Sequence, residues 1–78
     1  MRYGNIEFRW SKRNQSHELV KWQEIGTCYV IAFFDKGKEH YNMRTIGERF
    51  FEDDNAWLVG KHALSFLNHC FEDEISNE

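Results

Sequence analysis

Proline is absent from all 78 residues. That leaves no basis for a polyproline ligand or a Pro-rich linker. The five glycines stand singly, at 4, 26, 37, 47 and 60. Neither a Gly-rich dinucleotide loop nor a P-loop is present, and no cofactor is expected. No apolar run approaches the roughly 20 residues of a membrane-spanning helix. The first ten residues, MRYGNIEFRW, lack the apolar stretch of a signal peptide. A cytoplasmic chain that makes no membrane contact is the expectation. Cysteine is scarce. Cys28 and Cys70 lie far apart with no CxxC, which fits free thiols in a reducing compartment.

The same scarcity limits chemistry. His17, His40, His62 and His69 show neither HExxH nor finger spacing with the cysteines, so no metal site is expected. They read as surface and boundary histidines beside two small thiols in apolar surroundings. A reactive thiol needs an exposed, electropositive setting. Cys28 sits in an apolar run, and Cys70 precedes acidic residues, the opposite of an electropositive setting. No GxSxG occurs, and Ser65 lies within ALSFL, where a satisfied hydroxyl is the plain reading. Glu48, Glu52, Asp53 and Asp54 suit a helix cap and a solvated face better than a cation cluster. No catalytic residue is expected.

Aromatic residues are plentiful. They make up 17% of the chain, which argues against disorder and compensates for a modest 41% apolar content. One domain over 1–78 is all this length allows. A domain so small buries only about 60% of its unfolded surface, and such folds often enlist a partner.

The hydrophobic period gives the order. Ile6, Phe8 and Trp10 alternate with Glu7 and Arg9 as on a half-buried strand. Residues 11–18, SKRNQSHE, read as a loop, and 19–25 as a second strand. Residues 27–34, TCYVIAFF, are β-branched and aromatic and predict the central strand. Residues 35–38 then turn the chain, and 39–46 return as its partner. Residues 49–51 suggest a short added strand or a fold-over of the core edge. From about Asp54 to Ile75 the period becomes helical. Trp57, Gly60, Leu64, Leu67 and Phe71 form a stripe that Ala56, Val59, Ala63, Phe66 and Cys70 widen. Gly60 suggests close approach of helix to strand. The expected fold is α+β: a small antiparallel sheet of three to four strands, packed on one face by a single long C-terminal helix, in the order β-β-β-β-α.

That fold poses a problem. One helix covers one sheet face, yet strand 27–34 is apolar on both. If Cys28, Val30, Ala32 and Phe34 face the helix, then Tyr29, Ile31 and Phe33 face away, and the reverse assignment leaves the other set out. Either way an exposed patch marks an interface, with Tyr29, Ile31 and Phe33 its favoured residues. Charge offers a second surface. Residues 1–46 hold eight basic and five acidic residues, a net of +3. Residues 47–78 hold two and eight, a net of −6. Glu52, Asp53 and Asp54 at one helix end and Glu72, Asp73 and Glu74 at the other suit a basic partner. At the latter end the helix dipole disfavours the acids, so that end frays or finds a cation. The favoured expectation is a non-enzymatic protein-interaction module, an accessory or inhibitor protein that docks on a larger partner or forms a homodimer. The alternative is a single-stranded nucleic-acid-binding sheet that uses Arg9, Trp10, Lys21, Trp22 and Arg44. The net charge of −3 and the lack of a dense basic patch count against it. A small enzyme or metal-dependent protein ranks last.

Overall fold

Two-residue alternation does hold Ile6 and Phe8 in the interior of the computed structural model, which describes residues 2–46 and 54–76. Five strands form one antiparallel meander: β1 (Arg2–Tyr3), β2 (Ile6–Ser11), β3 (Ser16–Trp22), β4 (Cys28–Lys36) and β5 (Tyr41–Thr45). One helix, α1 (Asp54–Ser76), follows. The chain is therefore α+β as expected, with one strand more. That strand is β1, joined to β2 through Gly4-Asn5. Gly4 takes the positive φ (58°) that such a two-residue hairpin loop requires.

The stretch 11–18 is not all loop. Ser16, His17 and Glu18 belong to β3, opposite Ser11, Trp10 and Arg9. Only Lys12–Gln15 turn the chain. The Ser11 hydroxyl accepts the Asn14 N–H at 3.2 Å, and the Gln15 side chain donates to the Lys12 carbonyl at 2.7 Å. Polar residues enter this strand because their cross-strand neighbours give each of them a contact, though not a full set of hydrogen bonds. The His17 ring stacks on Phe8, with centroids 5.2 Å apart, and Glu18 pairs with Arg9. At its other end β3 stops at Trp22, and Ile25 lies exposed in the following turn. The next turn falls at 37–40 instead of 35–38, and the Gly37 N–H donates to the His40 carbonyl at 2.8 Å. Residues 49–51, read as an added strand or fold-over, lie outside the described residues.

A β-bulge in β4 resolves the two-face problem. Leu19 pairs with Ala32 and Val20 with Val30, so Ile31 is an extra residue with no partner on β3. A bulge shifts the period-2 pattern by one and exchanges the faces beyond it. Tyr29, Ile31, Ala32 and Phe34 thus all serve the helix side. Ile31, Ala32 and Phe34 are buried in the core, and Tyr29 packs against it. The expectation of Tyr29, Ile31 and Phe33 as one outward patch is corrected: only Phe33 lies on the far face.

Helix α1 packs on the near face, mainly against β2 and β5. Ala56, Val59, Gly60, Ala63, Leu67 and Phe71 are buried. The apolar arc is wider than this small sheet covers, so its two margins, Trp57 on one side and Phe66 and Cys70 on the other, are exposed. A Cβ on Gly60 would meet Met43 Sδ at 2.9 Å, which is the close approach its position suggested. The acidic helix end does find a cation. Lys36 Nζ lies 3.0 Å from Glu74 and 4.8 Å from the centre of the Phe71 ring. No helix is long and apolar enough to cross a membrane among the described residues.

Candidate protein-interaction surface

The far face of the sheet is closed by its own long side chains. Ladder pairing places Arg2, Glu7, Arg9, Glu18, Val20, Trp22, Cys28, Val30, Phe33, Asp35 and Arg44 there. The Arg2 and Arg9 guanidiniums both approach the Trp22 ring, at 5.7 and 5.9 Å from its centre, and its indole N–H donates to Glu7 at 3.4 Å. Arg9 Nε donates to Glu18 Oε1 at 3.0 Å, and Glu18 is 2% exposed. That bond holds the Arg9 proton more tightly than usual. Further along, Arg44 stands over the Phe33 ring at 5.3 Å and bonds Asp35 at 3.0 Å. These cation–π and ion-pair contacts tie up the charges of this face against one another. Val20 lies on this face and is nonetheless fully buried.

The five residues of the nucleic-acid alternative do not form one platform. Arg9, Trp22 and Arg44 lie on the far face and bond as above. Trp10 and Lys21 point to the helix side, in line with His17 and Ile6. The acidic residues divide as well. Glu72, Asp73 and Glu74 are exposed at the helix C-terminus, and Asp54 is exposed at its start. Glu52 and Asp53 lie outside the described residues.

The sequence did not single out the helix flank beside β1 and β2. At 100° per residue, Leu58, His62 and Phe66 line one side of α1. There they border two concavities. The first, about 180 Å³, is lined by Tyr3, Asn55, Leu58, Val59 and His62. The second, about 330 Å³, is lined by Phe8, Arg9, Trp10, His17 and Phe66. Tyr3, Trp10, Leu58 and Phe66 are each about half exposed. An aromatic and aliphatic rim thus runs along the groove between sheet edge and helix. Its two larger anchors were legible as types but not as neighbours, since 55 residues separate Trp10 from Phe66.

His17 is central to the second concavity. Its ring stacks on Phe8 and meets Trp10 edge-on at 4.9 Å. Its Nδ1 is buried without a hydrogen-bond partner. Burial pushes the imidazole pKa below its ordinary value.

The sheet edges are covered in part. On the outer side, β1 covers β2 at Ile6 and Glu7. On the β5 side, Asn68 accepts the Tyr41 N–H and donates to the Tyr41 carbonyl at 3.4 Å. Such covers oppose strand addition. Among the described residues no group of histidine, cysteine and carboxylate side chains is placed to hold a metal. Comparison with protein-family models, with curated proteins and with solved structures finds no match.

Proposed function

We propose that this chain is a protein-binding module that works by contact and carries no chemistry of its own. Its contact surface is the groove between the β1–β2 edge and the adjoining flank of α1. One observation carries the reading: four large apolar side chains, Tyr3, Trp10, Leu58 and Phe66, stand half exposed around two concavities that both open on one flank of α1. Isolated exposed apolar residues are ordinary, but several gathered around hollows along one flank mark an interface. Tryptophan set in such a hollow is a typical anchor of binding energy. The far sheet face supports contact less well, because its charges and rings already engage one another.

Site-specific photocrosslinking tests this. A photoreactive phenylalanine analogue at position 66 in the native cell is expected to form covalent protein adducts. The same analogue at Asn42, exposed on the far face, is expected to form few. Equal yields at the two positions, or none at 66, would overturn the assignment. The mass of the adduct reports whether the partner is another copy of the chain or a foreign protein.

A further inference from the structure

We infer that the partner in this groove is a second copy of the chain, held by charges that one end of the molecule carries in both signs. The inference rests on the groove being a contact surface and adds who occupies it. The cationic pole is the β2–β3 turn. Lys12 and Arg13 are exposed there, directly after Ser11 and close to Trp10 in sequence, and neither has an ion-pair partner among the described residues. The anionic pole is the end of α1. Glu72, Asp73 and Glu74 are exposed with no basic residue in the last helical turn, and Ile75 among them is 46% exposed.

Both poles lie at the same end. A concavity of about 390 Å³ joins Trp10, Asn14 and Gln15 to Lys36, and Lys36 bonds Glu74. Lys36 is one cation against three carboxylates and the negative end of a helix dipole. Asp73 has only His69, at 3.9 Å, and no ion pair is found for Glu72 among the described residues. What this helix end lacks, the turn of another copy supplies.

A two-fold axis satisfies both poles together. In such an isologous pair the turn of one copy meets the helix end of the other, and the reverse contact forms by symmetry. The apolar strip with Trp10 and Phe66 lies beside those contacts. The arrangement explains why three acids are kept where they weaken their own helix.

Sedimentation of charge-reversed chains tests this. The natural chain is expected to approach twice its 9.5 kDa mass with rising concentration, less readily at high salt. Lys12→Glu with Arg13→Glu should leave that chain monomeric. Glu72→Lys with Asp73→Lys should do the same to the other. All four sites are exposed, and lysine suits a helix C-terminus, so both variants retain their folds, as circular dichroism checks. Mixed in equal amounts they should pair, because each reversed pole now meets its opposite. A natural chain that stays monomeric at every concentration overturns the second copy and leaves the groove to the crosslinking result. Dimerisation that survives both reversals, or a mixture that fails to pair, overturns the charge-held arrangement.

Discussion

Arg9 Nε and Glu18 Oε1 meet at 3.0 Å on the sheet face away from the helix, the Glu18 side chain almost wholly buried and the Arg9 side chain 38% exposed. The second oxygen of Glu18 is buried with no partner. The pair is thus asymmetric, since Glu18 depends on Arg9 more than Arg9 depends on Glu18. Arg9→Leu should destabilise the fold by about 3 kcal/mol, because it strands a buried charge. Adding Glu18→Leu should recover most of that loss. Urea unfolding of the two single variants and the double variant checks the coupling, and additive losses would show that the pair is unimportant.

Ile31 and Phe33 are neighbours in sequence type but not in setting. Ile31→Ala removes a fully buried side chain from the core and should cost about 2–5 kcal/mol. Phe33→Ala acts on a half-buried ring under Arg44 and should cost less. Without the bulge the two would share a face and respond alike. Equal losses in chemical denaturation would therefore contradict it.

His17 gives the fold a pH dependence. The unfolded chain binds a proton near the ordinary histidine value of 6.5, while the buried ring binds one only at lower pH. Its contribution is fully present above pH 6.5 and falls as the pH drops below it. The slope for one proton is at most about 1.4 kcal/mol per pH unit. Thermal stability of the natural chain should fall more steeply than that of His17→Phe as pH drops from 7 towards 5. Parallel curves would show that the ring titrates as it does in the unfolded chain.

Gly60 sets the distance between α1 and β5. Alanine there gains about 1 kcal/mol of helix propensity and presses on the flexible Met43 side chain, so Gly60→Ala should lie close to the natural stability. Gly60→Leu cannot be absorbed so easily and should cost about 1–3 kcal/mol. Thermal melts of the two variants check the order. A Leu variant as stable as the Ala variant would mean that the helix stands further from β5.

Periodicity made much of this architecture readable. The alternation from Ile6 to Trp10 and the helical spacing from Ala56 to Phe71 follow local rules that a single chain displays. The misread parts depend on partners distant in sequence. His17 and Glu18 look like loop residues until Trp10 and Arg9 lie across from them and Phe8 stacks on the His17 ring. Ile31 looks outward until one extra residue in β4 is known to shift the ladder, and its backbone carbonyl accepts the Ile46 N–H at 3.0 Å. β1 has only two residues, too few to show alternation, although Gly4-Asn5 carried the turn signal. The groove was least legible of all, because a surface formed by Tyr3, Trp10, Leu58 and Phe66 exists only after the helix has docked.

The three tryptophans stand on three different surfaces. Trp10 borders the groove, Trp22 lies beside arginines on the far face, and Trp57 is three turns from Asn68 on the β5 side of α1. Their indole N–H signals in a ¹⁵N–¹H spectrum of the natural chain, followed from dilute to concentrated solution, report directly where contact forms. The Trp10 signal is predicted to move or broaden while those of Trp22 and Trp57 hold still. Movement of Trp22 or Trp57 with Trp10 unchanged would contradict the account.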